Sequence, residues 1–125
     1  MKGITLLEKY PVSAELIKAW FLEKMIESFK DENVPSEFKD FMREQGIDND
    51  KVGTLIDVNP RNLFDVFDEN DIVIENSLYP SGEFTIKIGN QATTNSWKTR
   101  KEAELFAVEA AFEILENKLS PKLEE

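Results

Sequence analysis

Apolar residues recur at three- and four-residue spacing through the first half of the chain, which is the period of an amphipathic helix. The longest such run predicts a helix over residues 14–30. Ser13 is its expected N-cap, and Val12 is expected to pack onto Ile17 as a hydrophobic staple. The apolar face of this helix is made by Leu16, Ile17, Trp20, Phe21, Met25, Ile26 and Phe29.

Three shorter helices are predicted to follow. The first begins at Pro35 and ends at Gly46, where a left-handed cap stops it, and it carries Phe38, Phe41 and Met42. The second covers residues 50–57. The third begins at Asn59, an N-cap that is followed by proline at the first helical position.

After residue 70 the period changes to the alternation of a half-buried strand. Three strands are predicted, at residues 72–78, 84–88 and 92–97, with turn residues between them. A helix over residues 100–119 follows, and Thr99 and Glu102 form a capping box at its start. N-terminal helices, a three-stranded antiparallel meander and a long C-terminal helix packed on the sheet make an α+β fold.

The chain is expected to form a single domain over residues 1–125, because neither half carries enough apolar residues for a separate core. It divides into a helical part at 1–70, a βββα part at 71–119 and a polar tail at 120–125. No segment has the pattern of a signal peptide, and no apolar run reaches the roughly 20 residues that span a bilayer. A cytoplasmic protein without a membrane partner is expected.

The composition leaves little material for catalysis. The 125 residues include no histidine and no cysteine, which removes the commonest general base, thiol nucleophiles and thiolate metal sites. No catalytic residue, metal site or cofactor is therefore predicted, and the chain is expected not to be an enzyme. The 25 acidic and 15 basic side chains give a net charge of -10, which opposes general attraction to phosphate backbones.

Two groups of acidic residues have the ligand type of a metal site, but each has a simpler structural explanation. Four carboxylates lie near one predicted helix end, where solvation explains them: Asp65, Asp68, Glu69 and Asp71. The stretch from Asp48 to Gly53 resembles the start of a calcium loop but has Val52 where a ligand is needed and Asn59 where the closing Glu belongs. Asp48 or Asn49 is instead predicted to cap the helix that follows.

The last helix has a wider apolar arc than packing on a sheet alone requires. Two interpretations remain open at this point. Either one side of the arc meets the sheet and the other meets the N-terminal helices, or part of it binds a second copy of the chain as a homodimer. Candidate contact residues for a protein partner are aromatic residues near turns or at the margin of a face, with core packing as the alternative. They are Phe106, Tyr79 and Trp97.

Residues 72–115 resemble the C-terminal part of a double-stranded-RNA-binding domain. The order of three strands and a helix is similar, and so is the helix opening from Thr99 to Glu104 with its following alanines. The resemblance implies that Arg100 and Lys101 grip phosphates, although Glu104 reverses the third basic position and the first hairpin turn lacks the family's histidine. The full basic group proposed for nucleic acid is Arg100, Lys101, Lys98 and Lys87.

Trp97 is followed by a T-x-x-E-A-E stretch at residues 99–104 that enters an alanine-rich helix. In this feature the chain resembles small acidic proteins of bacteriophages and mobile elements, and the resemblance implies action by binding. Three functions are therefore expected to compete. The first is a non-enzymatic interaction protein of unknown protein partner, and the second is a weak double-stranded-RNA-binding module. The third is an acidic mimic of nucleic acid, which would use one stripe of the last helix: Glu102, Glu109, Glu113 and Glu116.

Overall fold

A computed structural model describes residues 2–28, 35–89, 91–93 and 95–120. These residues form an α+β fold with six α-helices and a three-stranded antiparallel sheet. The helices are α1 (Gly3–Lys9), α2 (Pro11–Glu27), α3 (Ser36–Gln45), α4 (Asn49–Val58), α5 (Phe64–Glu69) and α6 (Arg100–Leu119). A 3₁₀ turn, Pro60–Leu63, joins α4 to α5. The strands are β1 (Ile74–Leu78), β2 (Phe84–Ile88) and β3 (Gln91–Ala92).

The N-terminal region differs most from the prediction. Helix α1 was not predicted, and α2 begins at Pro11, with Tyr10 rather than Ser13 at the N-cap position. Ser13 lies inside the helix, fully buried, and in the part of the chain that the structure describes its hydroxyl has no hydrogen-bond partner. The carboxylate of Glu116 takes over the capping role, because it accepts hydrogen bonds from the backbone N–H of Ser13 (2.7 Å) and of Val12 (3.3 Å). The predicted end of this helix, at Phe29 and Lys30, lies outside the described residues.

The next helix boundaries follow the local signals. Gly46 ends α3 with a φ of 73°, a backbone conformation that glycine adopts at little cost. Asp48 caps α4 by accepting a hydrogen bond from the backbone N–H of Lys51 at 2.9 Å. Asn59 likewise accepts one from the backbone N–H of Arg61 at 3.2 Å, although the turn that it caps is 3₁₀ and not α-helical. Capping depends on residues close in sequence, which is why these positions were predictable.

The sheet has the order β1-β2-β3, and its first hairpin pairs Ile74 with Ile88 and Leu78 with Phe84. Strand β1 begins two residues later than predicted, because Ile72 is buried in the main core instead. The third strand is shorter than predicted: it comprises two residues, and a separate bridge joins Trp97 to Phe84. Thr99 caps α6 as expected, accepting from the backbone N–H of Glu102 at 3.1 Å.

Helix α6 lies between the sheet and the N-terminal helices. Ala103 and Ala107 pack beneath the sheet with Ile86. On the other side of the helix a run of buried residues joins the main core: Val108, Ala111, Phe112 and Leu115. The Phe112 ring lies 5.8 Å from that of Tyr10 and 5.5 Å from that of Phe67. The N-terminal and central parts of the wide apolar arc are therefore covered by this chain, whereas Ile114 and Leu119 near the C-terminal end of α6 are exposed. The main core contains residues of both the helical and the βββα parts.

Candidate protein-binding surface

Helix α3 is the one described α-helix that buries none of its residues. Its apolar side chains lie on one face, yet Phe38 is 48% exposed and Phe41 is 55% exposed. Holding the large aromatic side chain of Phe41 in water carries a free-energy cost that burial against another surface would remove. Adjacent exposed aromatic residues are typical of a surface that another molecule covers.

A cavity of about 230 Å³ lies between α2 and α3. Its apolar lining comes from Leu22 and Met25 of α2, Phe41 and Met42 of α3, and Ile47, which follows α3. Asp48 and Lys51 add one charge of each sign. We call this cavity, with the exposed face of α3, the α2–α3 groove. Methionine side chains adapt their shape readily, so such a lining accommodates an inserted apolar side chain.

An ion pair attaches α3 to α2 beside the groove. Arg43 donates to both carboxylate oxygens of Glu23, from Nε at 2.9 Å and from Nη2 at 3.2 Å. The hydrogen bond from Arg43, aided by the attraction of its charge, lowers the pKa of Glu23 below its usual 4.5. The same contact raises the pKa of Arg43. A bidentate pair fixes orientation as well as distance, so it sets how α3 lies against α2.

The predicted nucleic-acid residues are only partly brought together. Lys98, Arg100 and Lys101 lie at the start of α6, all exposed. The guanidinium of Arg100 stacks over the ring of Phe84, 5.7 Å from its centroid, which occupies one of its faces. Lys87 lies three residues after Phe84 on β2, roughly 10 Å along the strand and on the opposite face of the sheet, and it pairs in register with Glu75. The positive charge gathered at one place is therefore that of three side chains.

The aromatic contact candidates divide into a packed pair and a free ring. The rings of Trp97 and Phe106 lie 4.7 Å apart and close the edge of the small core beneath the sheet. Their half-buried state is explained by contacts within the chain. Tyr79 follows directly after β1, and its side chain is 55% exposed. Of the three, Tyr79 is the residue whose surface is left for a partner.

Several acidic residues have structural roles that the sequence did not reveal. Glu104 is 4% exposed, and its carboxylate accepts from Nε of Arg61 at 3.0 Å. Glu116 caps α2, which removes it from the acidic stripe proposed for mimicry. Glu69 accepts from the Trp20 indole at 3.0 Å, and Asp71 pairs with Lys118 at 3.6 Å. No group of three or more acidic residues in the described ranges is arranged to hold a metal ion.

Comparisons with known proteins add no relationship: no protein-family model, curated protein or solved structure matches the chain. None of the helices in the described ranges is both long and apolar enough to cross a membrane. The α+β architecture and the geometry of the α2–α3 groove are therefore the evidence that bears on function.

The sequence does not predict the α2–α3 groove, although Met25, Phe41 and Met42 of its lining lie on predicted apolar helix faces. Phe38, Phe41 and Met42 were assigned to the apolar face of a short helix, and such a face is usually buried. The available signal was the mismatch between three large apolar residues and a ten-residue helix that is otherwise strongly polar. Only the exposure of Phe41 in the structure shows that part of this face is accessible from outside.

Proposed function

We propose that this chain is a small, non-enzymatic cytoplasmic protein that acts by binding another protein through the α2–α3 groove. The observation that carries the proposal is the exposure of Phe41, which also lines the cavity, on a helix without a buried residue. The adjoining cavity supports it, because a pocket lined by Leu22, Met25 and Met42 accepts an apolar side chain from outside.

The chemistry of the groove indicates an amphipathic segment as the partner. Apolar anchors at helical spacing would fit a groove formed by two helices. The net charge of -10 attracts basic segments over a distance and repels acidic ones. A basic amphipathic helix therefore matches both the shape of the groove and the negative net charge of the chain.

The test is a selection of binders from a random peptide library displayed against the full chain. We expect enriched peptides to combine apolar residues at three- or four-residue spacing with lysine or arginine. In NMR titrations they should shift the amide signals of Met42, Gly46 and Ile47. Phe41→Asp should weaken binding by roughly tenfold or more, since a charge would replace an apolar contact.

Val58→Asp is the matched control. Val58 is 70% exposed at the end of α4 and does not line the groove, so this variant adds the same charge on a comparable residue elsewhere. Peptides that bind both variants equally, or that shift signals away from the groove, would show that the groove is not the binding surface.

Double-stranded RNA is a second candidate ligand, supported by the exposed group of Lys98, Arg100 and Lys101 at the start of α6. A low-salt anisotropy titration with a duplex of about 16 base pairs tests it, with single-stranded RNA as the control. Saturable duplex binding that Arg100→Glu and Lys101→Glu together abolish would establish this function. No binding at tens of micromolar protein would remove it.

A further inference from the structure

Strand β1 has one edge without a partner strand in the described sheet. The backbone N–H of Tyr79 donates to Glu83 and that of Gly89 donates to Val73, so odd-numbered residues of this segment direct their backbone groups toward β2. Because antiparallel ladders alternate, the N–H and C=O groups of Ile74, Asn76 and Leu78 point away from β2. Within the described ranges these outward groups have no recorded hydrogen-bond partner.

Several side chains of the same segment also lack hydrogen-bonding or packing partners among the described residues. The amide nitrogen and oxygen of Asn76 are both buried from water and have no hydrogen-bond partner among the described residues. Leu78 is 60% exposed, Tyr79 is 55% exposed and Val73 is 45% exposed. The buried amide is out of reach of another chain, but three exposed apolar side chains along one open strand edge carry a cost that a neighbouring strand would remove.

We infer that two copies of this chain pair along β1, antiparallel, about a two-fold axis through Asn76. The two three-stranded sheets would then continue into one sheet of six strands. In this arrangement Asn76 lies opposite the partner's Asn76 as a hydrogen-bonded pair of the ladder, through backbone groups alone. The side-chain amide of Asn76 is enclosed within its own chain and takes no part in the contact. The outward N–H and C=O groups of both strands form the ladder between the copies.

The pairing matches every other residue of the segment as well. Ile74 lies opposite the partner's Leu78, so the two apolar side chains cover each other on the face toward α6. Val73 lies opposite the partner's Tyr79 on the other face, an aromatic and β-branched pair of the kind that stabilises sheets. Glu75 lies opposite the partner's Ser77, so no carboxylate meets another directly, although each chain carries a net charge of -10.

The neighbouring registers are worse for identifiable reasons. Since only even-numbered residues present outward backbone groups, the register can shift in steps of two. One step moves the axis to Glu75. The Glu75 carboxylates of the two copies then lie directly opposite each other, and this pair of like charges is destabilising. The other moves the axis to Ser77 and places Ile74 opposite the partner's Pro80, which has no N–H to donate. The axis through Asn76 is the register that pairs all five residues of β1.

This edge is separate from the α2–α3 groove, so the dimer does not depend on the proposed function. The first test is the mass of the full chain in solution, measured by sedimentation velocity from low to several hundred micromolar. We expect a concentration-dependent species of twice the 14.4 kDa chain mass. Leu78→Lys should raise its dissociation constant by about tenfold or more, because it would bury a charge against the partner's Ile74.

Val58→Lys is the matched control, since it places the same charge on an exposed apolar residue away from β1 and should leave the dimer unchanged. Leu78 is exposed in the single chain, so the first variant is expected to fold normally, which circular dichroism would check. A monomer at every concentration, or a dimer that Leu78→Lys leaves intact, would overturn the proposal. So would a monomer that takes up an extended peptide from another protein on this edge.

The register has its own test, because the chain contains no cysteine. Paired residues of a hydrogen-bonded antiparallel pair lie about 5.5 Å apart at Cα. That lies within the disulfide range of about 4.4–6.8 Å, so Asn76→Cys should give an intermolecular disulfide under mild oxidation. Leu78→Cys should not, because the two copies of that residue would be roughly 14 Å apart along the strands. The reverse pattern would show that the axis does not pass through Asn76.

Discussion

Ser13 satisfies the sequence rule for an N-cap but does not act as one. It lies in the first turn of α2, fully buried, and the capping hydrogen bonds come from a carboxylate 103 residues away. The hydroxyl, left without a partner, costs stability instead of adding it.

Ser13→Ala is therefore expected to raise the free energy of unfolding by about 1 kcal/mol, because it removes an unpartnered buried hydroxyl and improves helix propensity. Urea unfolding measures the change. Thr99→Ala is the matched control: Thr99 does cap its helix, so its loss should cost about 1 kcal/mol. If Ser13→Ala destabilised as Thr99→Ala does, the hydroxyl would have a partner after all.

Glu104 is a second residue whose effect on stability depends on its partner, Arg61. The Glu104 side chain is 5% exposed and that of Arg61 is 53% exposed, so the carboxylate bears most of the desolvation. Arg61→Met should lower the free energy of unfolding by about 2 kcal/mol, since it leaves a buried charge unpaired. Adding Glu104→Met should restore most of that loss. A double variant less stable than Arg61→Met would contradict this explanation.

At the scale of elements, the contact between α1 and α4 depends on two glycines. A Cβ at Gly53 would lie 2.8 Å from the backbone nitrogen of Ile4, and one at Gly3 would lie 2.5 Å from the backbone oxygen of Gly53. Both approaches are closer than side-chain atoms tolerate, so the two helices touch at backbone distance. Gly53 lies where α4 contacts α1, and nothing in the sequence predicts that the two helices meet there.

Gly53→Ala should lower the free energy of unfolding by about 1–2 kcal/mol, although alanine favours a helix interior by about 1 kcal/mol over glycine. The reason is that the added methyl group would push the backbone of α1 away. Thr54→Ala, one position along on the exposed side of α4, serves as the control and should change stability little. A stabilised Gly53→Ala would show that the two helices do not approach so closely.

The contact between α2 and α3 should depend on pH through Glu23. Its pKa is lowered in the folded chain by Arg43, so the contribution of this ion pair is fully present above 4.5. It is lost as the pH falls through the lower folded value. Following the Glu23 carboxyl carbon by NMR should give a pKa below 4.5, and Arg43→Met should return it toward 4.5. An unchanged pKa in Arg43→Met would show that the pair does not form in solution.

At the scale of the whole molecule, the shared core makes the two parts of the chain interdependent. A fragment of residues 71–119 would expose Val108, Phe112 and Leu115, which pack against the N-terminal helices. We expect this fragment to show no cooperative thermal unfolding, while the full chain unfolds in one transition. Circular dichroism on both would test this. Cooperative unfolding of the fragment would mean that the βββα part folds without the helices.

Much of the fold could be predicted because its signals are local. The bounds of α6 and β2 agree with the prediction, since a capping threonine and strict alternation act within a few residues. Helix α1 was missed because it is seven residues long and is held by Leu6 and Leu7 in the main core. The candidate surface was missed for a related reason: the apolar face of α3 is recognisable in sequence, but its exposure is not.

The amino-acid sequence determined the α+β class, most helix and strand positions and the lack of histidine and cysteine chemistry. Those properties depend on residue type and on spacing over a few positions. The tertiary structure decided which apolar faces are covered, that Glu104 is buried against Arg61 and that Asn76 has an unpartnered amide. Burial and pairing depend on residues distant in sequence, 43 positions apart for Arg61 and Glu104, and no local pattern encodes them.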